Sequence, residues 1–115
     1  MTDAPVLGGI HRMEDFDTAD DYTKKHAPHI SFVREGDACI VEVAVGHYVP
    51  HPNMPDHFFE YIELVVGDAC VARFNFSAVA VSPKVTATLN LDSGTRLAAR
   101  ASCNLHGVWE SEITV

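Results

Sequence analysis

The stretch "KVTATLNL", residues 84–91, decides the fold. Val85, Ala87, Leu89 and Leu91 alternate with Lys84, Thr86, Thr88 and Asn90. Successive side chains of a strand point to opposite faces, so this segment has one buried face and one wet face. The same alternation appears on either side of it, in "HISFVR" (29–34), "ACIVEVAV" (38–45), "HFFEYIELVV" (57–66), "CVARFNFS" (70–77), "TRLAARAS" (95–102) and "VWESEITV" (108–115). Each is short and rich in β-branched or aromatic residues. Turn chemistry separates them: Glu35-Gly36-Asp37, Gly67-Asp68, Ser82-Pro83, Asp92-Ser93-Gly94 and Gly107. Seven such segments predict an all-β fold, a seven-stranded antiparallel immunoglobulin-like β-sandwich. Residues 1–28 carry no sustained period and read as an irregular N-terminal loop segment, with one helical turn in "MEDFDTADDY" (13–22). The expectation is one domain overall, with residues 29–115 as the sandwich.

Composition narrows the function. The chain has 115 residues, 47% of them hydrophobic, enough for a core that does not depend on disulfides or metal. Sixteen acids against eight bases give a net charge of −8, which argues against nucleic acid or an anionic membrane as partner. The start, "MTDAPVLGGIHRMEDFD", is acidic where a secretory leader is basic, and no run approaches the ~18 apolar residues of a membrane span. A soluble, cytoplasmic protein is expected. Cys39, Cys70 and Cys103 make an odd set with no Cys-x-x-Cys, which excludes a disulfide framework or a four-thiolate metal site within the chain.

The chemistry lies in the seven histidines. His51 and His57 bracket "HPNMPDH" (51–57), a loop stiffened by Pro52 and Pro55. Cys103 and His106 share "CNLH" (103–106), and His26 stands in "KKHAP" (24–28). All five positions fall at loops or strand ends, where a rigid β scaffold carries its binding groups. Neutral imidazole is a common metal ligand and thiolate a soft, strong donor; together they suit redox-active iron or copper better than magnesium or calcium. Taken singly, a Cys-x-x-His or a His pair in a Pro-rich loop is usually an exposed turn. The weight comes from their joint occurrence in one small domain.

"KHAP" (25–28), "HPNMPDHFFEYIEL" (51–64) and "CNLHGVW" (103–109) resemble the three signature segments of superoxide reductases, the family of neelaredoxin and of the iron domain of desulfoferrodoxin. The resemblance covers the chain from about residue 24 onward. It implies an immunoglobulin-like sandwich carrying one non-haem iron. The implied ligands are His26, His51, His57 and His106 in the equatorial plane, His106 through Nδ1, with the Cys103 thiolate axial. The implied reaction is one-electron reduction of superoxide to hydrogen peroxide without release of oxygen. Lys25 corresponds to the family lysine that attracts the anion. The family's usual donor is rubredoxin, and its one-iron members are often homotetramers. Two positions depart from the pattern. Lys24 stands where many members have a glutamate that closes the sixth iron position in the ferric form, and Asp56 stands where glutamate is usual. An ammonium has no lone pair for iron, so Asp20 or Asp21 is the remaining source of a nearby carboxylate. The competing reading, from a different class, is a non-catalytic β-sandwich metal-binding or sulfur-carrier module.

Other residues receive plainer expectations. Cys39 and Cys70 read as small buried hydrophobes, and His11 and His29 as exposed or hydrogen-bonded. His47 is not needed by the five-ligand set. Trp109 and Tyr61 are expected to pack under the site. Glu60 and Glu63 read as acceptors orienting the ligands, or as residues of an interface, and the acidic run between Glu14 and Asp21 as a solvated loop.

Overall fold

Lys84–Asn90 forms a strand in which exposed and half-buried residues alternate without a break, as its sequence requires. In the computed structural model, which describes residues 9–115, the elements run β1 (Ile10–Arg12), α1 (Asp21–His26), β2 (His29–Glu35), β3 (Ala38–Ala44), β4 (Phe59–Val66), β5 (Ala69–Asn75), β6 (Lys84–Asn90), β7 (Arg96–Cys103) and β8 (Gly107–Thr114). They make a five-stranded sheet of order β1-β8-β7-β4-β5 and a three-stranded sheet of order β2-β3-β6. The two pack as a sandwich. Among the described residues, no helix is long and apolar enough to cross a membrane.

The core lies between the sheets. Cys39, Val41 and Val43 of β3 face Ile62 and Leu64 of β4 and Leu97, Ala99 and Ala101 of β7, all at 1% exposure or less. Removing a side chain of this kind, as in Leu64→Ala, costs about 2–5 kcal/mol. Such burial holds the strand ends on which the functional loops are mounted.

The strand count is eight, not seven. The added strand, β1, pairs parallel to β8 through Ile10↔Val108, His11↔Trp109 and Arg12↔Glu110. Three residues are too few to carry a legible period, so its neighbour defines it and not its pattern. The helix also falls later than expected. A turn closes from Ala19 N–H to the Asp15 carbonyl within 13–22, but α1 itself runs Asp21–His26. Asp20 is its N-cap, accepting from the Thr23 N–H at 2.8 Å, and that bond lowers its pKa. His26 is therefore the last helical residue, not a loop residue.

The outward face of the larger sheet carries a row of alternating charge: Arg12, Glu110, Arg100, Glu63 and Arg73 stand in successive register across all five strands. Arg100 Nε donates to Glu110 Oε2 at 2.7 Å, Arg12 pairs with the same carboxylate, and Arg73 lies 3.5 Å from Glu63 Oε1. This corrects the role expected for Glu63, which belongs to a cross-sheet ion-pair row. Glu60 accepts from Ser102 Oγ at 3.3 Å and likewise orients no ligand. Tyr61 sits under Arg73, its ring centroid 3.8 Å from the guanidinium carbon, rather than under the site. Cys39 is fully buried as expected. Cys70 is half-buried, its thiol donating to the Ala72 carbonyl at 3.4 Å, with its pKa raised by burial and by the Glu63 carboxylate.

Candidate metal centre

The sheet registers bring the loops of interest to common ends. His29 pairs with Ala44, Phe59 with Cys103, and Cys103 with Gly107. The helix before β2, the loop between β3 and β4, and the β7–β8 turn therefore start from adjacent strand ends. His26, His51, His57, Cys103 and His106 converge there, each offering one ligand atom, all within 4.8 Å of one another. His26 Nε2 lies 3.1 Å from His106 Nδ1. Cys103 Sγ lies 3.7 Å from both His51 Nε2 and His106 Nδ1. Donors bound to one ion at about 2.0–2.3 Å lie roughly 3–4.5 Å from one another, so these separations fit a single ion.

Hydrogen bonds choose which nitrogen two of the rings offer. His26 Nδ1 is 2.8 Å from the Tyr22 carbonyl, and His51 Nδ1 is 2.7 Å from the Pro52 carbonyl. A carbonyl only accepts, so both Nδ1 atoms carry the proton and both Nε2 lone pairs point inward. His57 Nε2 is buried with no hydrogen-bond partner. A buried imidazole nitrogen without a partner is costly unless something else binds it, and a metal ion does. The five-residue group contains no carboxylate, and Asp20 is engaged at its helix cap.

Electrostatics favour the neutral form of three of the rings. Burial, above all, pushes His51 down to about 4, helped by the charges of His26, His57 and Lys25 and opposed by its bond to Pro52. Burial is also the leading cause of the lowered pKa values of His26 and His106, and Lys25 adds to both. The Lys25 ammonium is thus felt by three of the four imidazoles. Neutral rings are what a metal requires.

The residues that hold the loops were not singled out in the sequence. Asn104, between two ligands, clamps the third motif to the second. Its Oδ1 accepts from the Phe58 N–H at 2.9 Å, its Nδ2 donates to the Asp56 carbonyl at 2.9 Å, and its own N–H bonds the Phe58 carbonyl at 3.1 Å. Asn53 pins the same loop to the β5–β6 connection, accepting from the Val79 N–H at 2.8 Å and donating to the Val81 carbonyl at 3.0 Å. Met54 and His57 exchange two backbone bonds between them. Gly46, at φ +77°, opens the loop where a Cβ would come within 3.1 Å of the His51 nitrogen. Asn inside a Pro-rich loop and between Cys and His was the available signal. Trp109 does lie under the site: it is buried, stacks on His26 at 4.9 Å and donates from Nε1 to the His106 carbonyl at 3.1 Å. Asp56 is exposed, and only its backbone carbonyl takes part.

Residues 18–112 match the desulfoferrodoxin family model. The chain is 37% identical over 101 residues to a superoxide reductase of Pyrococcus horikoshii, covering 78% of this chain and 86% of that one. A superoxide reductase (neelaredoxin) of Archaeoglobus fulgidus, solved in the reduced form, superposes with a TM-score of 0.77 at 34% identity, covering 87% of this chain and 95% of that one. The superoxide reductase of Nanoarchaeum equitans superposes with the same TM-score of 0.77 at 27% identity, covering 93% of this chain and all of the other.

Proposed function

The chain belongs to the desulfoferrodoxin family, and on that premise we propose that His26, His51, His57, His106 and Cys103 hold one iron ion and that Lys25 draws the anionic substrate to it. The protein is a superoxide reductase, an oxidoreductase that takes superoxide, one electron and two protons to hydrogen peroxide without releasing oxygen. The observation that carries the ligand assignment is the convergence of four imidazoles and one thiol around the unpartnered His57 Nε2. Iron bound there supplies the single electron, and a thiolate ligand raises electron density at the metal.

The chain's own residues do the rest. The Tyr22 and Pro52 carbonyls hold the His26 and His51 rings edge-on to the centre. Burial keeps those rings neutral and ready at ordinary pH. Lys25 gives an acidic protein a local positive charge where an anion must arrive, and opposes charge building on that anion. The N-terminal segment, residues 1–28, serves the 29–115 sandwich by supplying Lys25 and His26 from α1. Lys24 stands in place of glutamate, Asp20 is engaged in its helix cap, and among the described residues the group that would hold the metal contains no carboxylate.

The electron donor that the family resemblance implies is a rubredoxin or similar small carrier protein. We place the reaction in the cytoplasm. A homotetramer is the assembly the family resemblance implies, and Phe32 and Val33, exposed on the edge strand β2, offer apolar surface for another copy to cover. The test is metal analysis of the purified protein with a visible spectrum after oxidation and a superoxide assay that also measures oxygen. About one iron per chain, a thiolate-to-ferric charge-transfer band and peroxide without oxygen are expected; bound zinc, or no metal, would overturn the assignment.

A further inference from the structure

Val79 has a backbone that its residue type does not favour. Among the described residues it alone, glycines apart, has a positive φ, +68°. The Ala80 N–H donates to the Ala78 carbonyl at 2.7 Å across it, so Val79 is the centre of a tight three-residue turn. With positive φ, that turn takes its rare and strained form. A β-branched side chain raises the cost, because its Cβ crowds the neighbouring carbonyl. Burial does not offset it, since Val79 is 55% exposed. Asn53 does. Its Oδ1 accepts from the Val79 N–H at 2.8 Å, and its Nδ2 donates to the Val81 carbonyl at 3.0 Å and reaches the Val79 carbonyl at 3.4 Å. Strain of this kind persists only where surrounding contacts impose it, and it gathers at functional sites.

Asn53 stands between the ligands His51 and His57. Met54 and His57 exchange backbone hydrogen bonds at 2.9 and 3.1 Å, so whatever moves Asn53 is passed on to His57. The connection between β5 and β6, residues 76–83, in fact runs beside the whole ligand loop, residues 45–58. The Val45 N–H donates to the Pro83 carbonyl at 3.0 Å where the loop starts, and the Phe76 N–H donates to the Glu60 carbonyl at 2.9 Å just past its end. Those outer ties use backbone alone. The middle tie, nearest the ligands, depends on one side chain and works against strain. Resting on the superoxide reductase reading above for the identity of the metal, we propose that Asn53 and Val79 are a pair of positioning residues that set how readily the ligand loop opens to take up or release iron. The hydrogen bonds of Asn53 raise the work of opening. The strain in Val79, relieved when Asn53 lets go, lowers it.

The test compares Asn53→Ala, Val79→Gly and the double variant with the parent, all as full chains. Glycine adopts positive φ freely, so Val79→Gly removes the strain and keeps the N–H that Asn53 accepts from. Transfer of iron from the loaded protein to an excess of chelator should be about tenfold faster in Asn53→Ala and about threefold slower in Val79→Gly. In the double variant it should be about threefold slower than in Asn53→Ala. In the metal-free chains, hydrogen-exchange protection of the amide at position 79 should fall in Asn53→Ala and rise in Val79→Gly. The opposite signs separate this role from a merely structural one, in which both variants would speed release and lower thermal stability together. Release that is not slowed by Val79→Gly, or that keeps the parental rate in Asn53→Ala, would overturn the proposal. A parent that takes up no iron would instead sink the underlying reading, and the amide protection, which needs no metal, would still decide whether the loop is held and strained in this way.

Discussion

Two histidine-rich regions lie a few residues apart in this molecule, and they do opposite things. In the metal centre, His26, His51, His57 and His106 meet edge to edge, their planes crossing at 70° or more. In the second region, His29 and His47 lie face to face at 3.9 Å and 8°, boxed by Phe16 and Tyr48. An imidazole donates its lone pair in the ring plane. Crossed edges can share one ion, whereas parallel faces share only packing. Backbone carbonyls aim the rings of the first region, and aromatic side chains stack those of the second. The loop 46–58 contributes to both regions: His47 fastens its start to β2, and His51 and His57 deliver ligands further along.

The largest effect should come from removing the thiol. Cys103→Ser is expected to abolish the charge-transfer band and the reductase activity while circular dichroism still reports a folded sandwich, because the core between the sheets does not need metal to pack. A variant that kept both band and activity would dissolve the distinction between the two regions.

Acid should act next. His51 is held down to about 4 in the folded metal-free chain, against an ordinary value near 6.5, and His26 and His106 are lowered as well. The unfolded chain therefore binds more protons than the folded one between about pH 6.5 and 4. Metal-free stability should be fully present above that window and be lost as pH falls through it. Protons also compete directly with iron. Iron retention, followed by the visible band, should collapse over the same range, and a band unchanged down to about pH 3 would contradict four imidazole ligands.

Asn104→Ala sharpens the contrast between aimed and merely stacked rings. It removes the clamp on Phe58 and Asp56, and iron affinity in a chelator competition should weaken by about 10–100-fold. Lys25→Ala should leave iron content alone but slow the reaction of the reduced protein with superoxide about tenfold, and flatten its dependence on ionic strength. An unaltered rate with an unaltered salt slope would return Lys25 to the solvated surface. The smallest effect should be that of His47→Ala: a loss of about 0.5–1.5 kcal/mol of stability in a denaturant titration, with the visible band unmoved. A lost band would show that the stacked pair positions the metal after all.

Several features were legible before any coordinates. The alternation in residues 84–91 and its counterparts specified the strands from β2 to β8, because a two-residue period is local and survives in the written sequence. The three motifs identified all five residues that converge in space, because each carries rare chemistry at a turn. β1 was not legible: three residues have no period, and parallel pairing with β8 is a partner's contribution. Nor was Glu63, whose acceptor capacity looked like support for the ligands until register placed it between Arg73 and Arg100 on the far face of the sheet.

By itself, then, the sequence determined the β-sandwich and pointed to the five residues that converge in space, since strand period and motif both rest on residue type and spacing along the chain. Tertiary structure alone decided which nitrogen His26 and His51 present, which histidines cross edges and which stack, and that His11 and Tyr22 reach the same buried indole. Those are relations of orientation between segments as much as 98 residues apart. Orientation is set by packing and by carbonyls contributed from elsewhere in the fold, and no local pattern in the chain encodes it.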